Sequence, residues 1–487
     1  MCSQRSSRGV TFDKQGFLLD LKHSTLISYL SRNLSRLISL RNHPMFWPLL
    51  VGLLLRLALA PWTEQRWDSY TNRLIGSYVL VYGINPFLPD TSCNCPAVLN
   101  YSYPPLWLWI MIPMFGLWLA TTSYIFPSSP ASLWAAWGST GNLFEAYRSF
   151  IPGNLPILDL LLKTPVLLSD VAIGYLIWLI GGRTPRAAKI SLLVWIFNPY
   201  VITMGSVWGV FDSIAAMFLL LSVYYLQSAR FSLSGISLAM GVATKLFPAI
   251  VLFPAVFYLL LAKRSGLIPY VSSFLVTIAL TLSSALVFPH GFDYLSRLLI
   301  GRSSPNYGGT PFFSGLTWML IFNDYSLPVG IPVFFLILPV LLVFFMLMFR
   351  KSLNKGNTVF PFLSVAFLGV YLSYPSINPQ YAIWILPMLA VLLTWKMASK
   401  WSVILISAIP LTFVLTHYNP LYLVSPALIF NENNYLPASD VVKQLWNFPP
   451  QLPVLLAALF TITIILTIDD LMTRAGVLEH SIWRIRR

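Results

Sequence analysis

The chain has 487 residues and a formal net charge of +15, with 57% hydrophobic and only 10% charged residues. A soluble domain carries about 25% charged residues, so this composition, with a mean hydropathy of +0.72, excludes a soluble globular protein and leaves a lipid-solvated one. The positive charge does not point to nucleic acid: no basic, aromatic-interleaved soluble patch exists, and most Lys and Arg fall in short loops between apolar runs, where they set topology.

Residues 1–44 are polar and basic, with Arg5, Arg8, Lys14, Lys22, Arg32, Arg36 and Arg41 against Asp13 and Asp20. They read as a cytoplasmic tail before an uncleaved first span. Apolar runs follow at 46–62, 103–126, 156–181, 190–205, 207–227, 233–246, 247–262, 267–289, 329–350, 359–374, 377–394, 402–417 and 453–470. The expected fold is an all-α polytopic membrane protein of about 11–13 transmembrane helices with helical non-cytoplasmic loops. A transmembrane domain then covers 45–470 and a cytoplasmic tail 471–487. The positive loops lie at Arg183–Lys189, Arg230, Lys263–Arg264, Arg350–Lys355 and Lys396–Lys400; placing them inside leaves 63–102, 290–328 and 418–452 outside. The run 103–126 breaks this alternation and has to be re-entrant, a hairpin, or paired with a weak span in 127–155.

On that assignment the unusual polar residues gather at the outer helix ends: Asp68, Tyr103, Asn198, Asp212, Lys245, Arg297, Arg302, Asn378, Gln380 and His417. Ionisable residues in an apolar chain are costly and line cavities, which points to a single site opening on the non-cytoplasmic side. Asp68, in Arg66-Trp67-Asp68-Ser69-Tyr70, is either a general base or the cap of a helix over 69–82. Cys93-Asn94-Cys95 is a local bridge or two ordinary thiols, and Asn100-Tyr101-Ser102 is a glycosylation sequon. The double proline after Tyr103 fixes an extended lead-in to a helix. Lys163 and Asp170 share one helix face, as an internal ion pair or as the polar wall of a substrate cavity. Asp212 starts a helix just below the outer surface, with N-capping the bland reading. Lys245 interrupts an apolar stretch, where an ammonium suits a phosphate. Arg297 and Arg302 stand outside against the positive-inside trend, as anion ligands do. Pro375–Tyr381 and His417-Tyr418-Asn419-Pro420 are polar turns.

The ordered set (first-loop acid, Tyr-Pro-Pro-Leu, Lys-x6-Asp, Trp-x-Phe-Asn-Pro before an outer Asp, Lys-x-x-Pro) resembles the GT-C superfamily of lipid-phosphate-sugar-dependent glycosyltransferases over roughly residues 60–420. It looks like the catalytic-subunit family of GPI mannosyltransferase I and the dolichyl-phosphate-glucose-dependent glucosyltransferases. The resemblance implies an inverting hexosyltransferase, mannose favoured, of the endoplasmic reticulum or a prokaryotic plasma membrane. It implies a polyprenyl- or dolichyl-phosphate-sugar donor, a glycan or glycolipid acceptor, and room for an accessory membrane subunit. In those terms Asp68 is the base, and Lys245, Arg297 and Arg302 hold the donor phosphate. Tyr103, Lys163, Asp170, Asp212, Asn378, Gln380, Tyr381 and His417 hold sugar or acceptor. Arg66 stands where the GPI type carries the first Asp of Asp-x-Asp, so no metal ligand is assigned and no cofactor is firmly implied, a divalent cation staying the one open alternative. A transporter or flippase and a non-catalytic subunit are the rival classes.

Overall fold

Each apolar run carries a helix, since lipid offers backbone N–H and C=O groups no other partner. The computed structural model describes residues 43–87, 103–122, 155–182, 184–287, 291–300, 314–319, 330–353, 358–417, 423, 448–449 and 451–478. The amino-terminal tail, Cys93 and Cys95, the sequon, residues 127–154, Arg302 and most of 418–452 lie outside these. The sequence order is α1 (Phe46–Leu59), α2 (Arg66–Leu80), α3 (Pro105–Thr121), α4 (Leu155–Gly181), α5 (Pro185–Ile196), α6 (Pro199–Ile202), α7 (Asp212–Gln227), α8 (Phe231–Thr244) and α9 (Leu252–Ala262). It continues with α10 (Leu267–Ser283), α11 (Gly291–Ile300), α12 (Gly330–Phe349), α13 (Val359–Ser373), α14 (Leu386–Thr394), α15 (Lys400–His417) and α16 (Leu452–Arg474). The protein is an all-α polytopic membrane protein. Among the described residues, four helical stretches are long and apolar enough to cross a bilayer singly (Leu155–Gly181, Arg264–Val287, Lys400–His417 and Leu452–Arg474), and Pro185–Ile196 with Pro199–Trp208 makes a fifth, bent by 44°.

The surface agrees with a lipid solvent. Ile268 is 77% exposed, Leu280 68% and Leu336 69%, an apolar girdle that water would not tolerate. The core is built from α4, α5, α7, α8, α13 and α14, with Trp195, Tyr200, Phe362 and Trp384 fully buried.

The helices break where the polar residues stand. Asn198 caps α6, its side chain accepting from the Tyr200 N–H at 3.0 Å. The chain then widens into a π-helical turn over Thr203–Trp208, a winding that concentrates at functional sites. Lys245 sits in extended backbone (φ −155°, ψ 137°) after α8, before a 3-10 turn over Phe247–Val251. Asn378 precedes another 3-10 turn, Pro379–Trp384. A two-residue parallel pair joins β1 (Ser314–Gly315) to β2 (Ser376–Ile377). Gly315 adopts φ +78°, and a Cβ there would meet the Ile377 carbonyl at 2.0 Å; only glycine allows that approach.

Candidate active site

Asp68 lies in the first turn of α2, yet it does not cap the helix. Gln65 is the cap, its side-chain oxygen accepting from the Asp68 N–H at 2.7 Å. That leaves the Asp68 carboxylate free to turn toward the bundle, where Oδ2 accepts from the indole Nε1–H of Trp208 at 2.6 Å. Burial raises the Asp68 carboxyl above the ordinary carboxylate range; the Trp208 hydrogen bond and the Lys245 charge pull it down, and the Asp212 charge adds to the rise.

Asp212 declines a capping role in the same way. It opens α7 without a side-chain cap bond, Phe211 being the flanking residue. Its carboxylate instead takes the Lys245 ammonium on both oxygens, 2.7 Å each, and the Trp384 indole N–H on Oδ1. Four ring faces surround the same ammonium: Tyr381 at 5.1 Å, Phe211 at 5.2 Å, Trp384 at 5.6 Å and Tyr103 at 5.8 Å to the ring centroids. An ammonium in such a cage is held by charge and ring quadrupoles together. Phe211 stacks on Trp107 at 4.7 Å and meets Tyr103 edge-on at 4.9 Å, and the Trp107 indole donates to Asn72 of α2 at 3.2 Å.

Residues 33 to 313 positions apart in sequence, Asp68, Tyr103, Asp212, Lys245 and Tyr381, are therefore brought to one end of the bundle. Asn378 reaches the group through its amide, 3.3 Å from the Tyr381 hydroxyl, and Gln380 is half-buried in the same turn. His417, at the carboxyl end of α15, stacks on Phe413 at 5.0 Å. The 290–328 loop touches the same end at both of its described edges. Tyr294 of α11 donates its hydroxyl to the Tyr103 carbonyl and packs on Phe87 at 4.3 Å. Leu316 N–H donates to Ile377 O at 2.7 Å, and the Trp318 indole to Leu372 O at 2.8 Å. Arg297 lies on α11, its side chain outside what is described; Arg302 is outside altogether.

Of the two readings of Lys163 and Asp170, the ion pair between them does not form. Seven residues advance a helix by about 10.5 Å, so each side chain reaches a different partner. Asp170 accepts from Arg56 Nε at 3.0 Å, both fully buried, and Arg56 also donates to Ile196 O at 2.7 Å. A Cβ at Gly205 would stand 2.4 Å from Asp170 Oδ2, so the π-helical turn passes directly over that carboxylate. Lys163 donates to the carbonyls of Ala60, Thr63, Ser206 and Val207. As folded, both residues are engaged by protein groups.

Sequence reasoning passed over Arg56, Glu64, Arg73 and Asp159. Arg73 bridges Glu64 and Asp159 in a buried triad that fastens α2 to α4. Trp208 and Trp384 were also missed as carboxylate donors; the available signal was that an indole N–H inside an apolar protein needs an acceptor. Among the described residues, no three His, Cys, Asp or Glu gather as a metal site requires.

No protein-family model and no curated protein matches the chain. Among solved structures it is similar to the crystal structure of ArnT from Cupriavidus metallidurans bound to undecaprenyl phosphate, at 14% identity and a TM-score of 0.47, over 89% of this chain and 77% of that one. A likeness of that strength carries no weight for the reaction.

Trp208→Phe provides a direct check on the Asp68 environment. The Trp208 hydrogen bond favours the ionised carboxylate, so its loss raises the Asp68 pKa further. A base must be deprotonated to act, so activity falls as pH drops through that pKa. The acid limb of the kcat/KM profile for transfer is expected to move to higher pH; an unmoved limb contradicts the assignment of the Trp208–Asp68 bond.

Proposed function

We propose that the protein is an inverting glycosyltransferase of the GT-C type. It moves a hexose, mannose before glucose, from a polyprenyl-phosphate sugar to a hydroxyl of a glycan or glycolipid on the non-cytoplasmic face. The observation behind the reading is the Asp68 carboxylate, held by Trp208 and within electrostatic reach of Lys245 at an aromatic-lined helix break. Asp68 takes the acceptor hydroxyl proton as that oxygen bonds to the anomeric carbon. The bond from that carbon to the phosphate oxygen breaks, and its electron pair leaves on the polyprenyl phosphate, which departs without needing a proton. Lys245 balances the charge on the departing phosphate, with Arg297 and Arg302 of the 290–328 loop as further cations. The faces of Tyr103 and Tyr381, with Asn378, Gln380 and His417, serve sugar and acceptor, and Asp212 orients Lys245. A membrane lipid is the donor's source, and the endoplasmic reticulum is the favoured compartment.

The test is reconstitution. The purified chain in lipid nanodiscs is given radiolabelled dolichyl- or undecaprenyl-phosphate mannose, or the glucose equivalents, with lipid-linked and GPI-type acceptor extracts. Label appearing in acceptor with inverted anomeric configuration is the expected result. Absence of transfer from every donor removes the enzyme reading.

A further inference from the structure

We infer that Lys163 is a positioning residue: its ammonium pins the segment leading into Asp68 to the π-helical turn carrying Trp208, and so sets the hydrogen bond between them. The catalytic consequence rests on the proposed function; the geometric claim does not.

The Lys163 side chain rises from the middle of α4 into the seam between two irregular pieces of chain. On one side its Nζ donates to Ala60 O at 3.1 Å and to Thr63 O, the first residue of the 3-10 turn Ala60–Trp62 and the residue just after it, before α2. On the other it donates to Ser206 O at 3.0 Å and Val207 O at 3.1 Å, the two residues before Trp208. An ammonium has three protons and here faces four oxygens, so it is coordinated much as an alkali cation would be. Ser206 and Val207 come at the end of a helical turn, where carbonyls lose their backbone partners; Lys163 supplies what the chain there cannot. The Thr63 hydroxyl also stands in the seam, its one proton shared between Leu59 O at 2.8 Å and Ser206 O at 3.2 Å.

The surrounding residues keep Lys163 in this task. Gly209 has φ +83°, and a Cβ there would lie 2.8 Å from Lys163 Cε, so the glycine leaves a lane for the lysine stem. The carboxylates within electrostatic reach, Asp159 and Glu64, are both held by Arg73. The ammonium therefore spends its hydrogen bonds on carbonyls. Remove it, and four carbonyls lose the ammonium, with only the Thr63 hydroxyl left beside Ser206 O, which loosens both segments at once.

The experiment uses the full chain in nanodiscs and compares the parent with Lys163→Ala, with and without added ethylammonium or tetramethylammonium. Hydrogen exchange is read over 60–68 and 203–209, and transfer kinetics alongside. A misplacement near 1 Å can cost about 100-fold. The expected result is faster exchange in both segments, kcat down by about that factor, and donor KM changed less than about twofold. Ethylammonium, which carries N–H donors, restores protection and kcat; tetramethylammonium, which has none, does not. Parent-like protection in either segment overturns the inference, as does a rise in donor KM that accounts for the whole loss. If Lys163→Ala does not fold, Lys163→Gln, which keeps two N–H donors, is read by the same criteria. A parent that transfers no sugar defeats the proposed function, while the exchange measurement still judges Lys163.

Discussion

Asp68→Asn is expected to lower kcat for sugar transfer by about 10²–10⁴-fold, the range a positioned general base contributes, with donor KM close to that of the parent. The amide has the shape of the carboxylate, and its oxygen still accepts from Trp208; what it lacks is basicity. The same substitution is expected to raise thermal stability. Burial lifts the folded-state pKa of Asp68, so the ionised carboxylate costs stability wherever pH lies above that raised value. The cost fades as pH falls toward the unfolded value of 3.8. The stability gap between Asp68→Asn and parent is therefore widest above the raised folded-state pKa and closes in acid. Gain of stability with loss of activity is the behaviour of a functional carboxylate. Equal kcat in the two proteins contradicts the base assignment, and a less stable Asp68→Asn points instead to a structural anchor.

The second large effect is expected at Lys245. Lys245→Met leaves Asp212 buried without its cation, and breaking a buried pair costs about 3–5 kcal/mol. The double variant Lys245→Met with Asp212→Asn removes both charges, and most of the lost stability is expected to return, because a neutral amide keeps the Trp384 indole as a donor. Transfer stays lost in both, since nothing replaces the ammonium that faces the departing phosphate. Denaturation in mild detergent measures the first part and the nanodisc transfer assay the second. Activity that returns with stability in the double variant would assign Lys245 to the fold alone.

The fold was legible because lipid forces it. A run of about 20 apolar residues has few conformations open to it other than helix, and the interruptions at Lys245 and at Pro375–Tyr381 are visible as polar residues in apolar surroundings. The convergence of Asp68, Tyr103, Asp212, Lys245 and Tyr381 followed from charge-based topology, which sorts helix ends by side without knowing which helices touch. Pairing was not legible. Arg56 and Asp170 lie 114 residues apart, and nothing local to either marks the other. Two charges on one helix face suggested a pair at Lys163 and Asp170, but two turns of helix hold them too far apart to meet. The π-helical turn over Thr203–Trp208 has no periodic signature either. Its cues were Gly205 and Gly209, whose importance becomes visible only once the Asp170 carboxylate and the Lys163 stem are in place beside them.

The account depends on one end of the bundle carrying both the acid and the arginine-bearing loop, and cysteine accessibility measures that directly. In a chain with Cys2, Cys93 and Cys95 changed to serine, Val81→Cys reports the loop that follows Asp68 and Arg302→Cys reports the 290–328 loop. A membrane-impermeant maleimide added to sealed vesicles of known orientation is predicted to label both from the same, non-cytoplasmic side. Labelling from opposite sides would separate Asp68 from Arg302 by a bilayer and contradict the account.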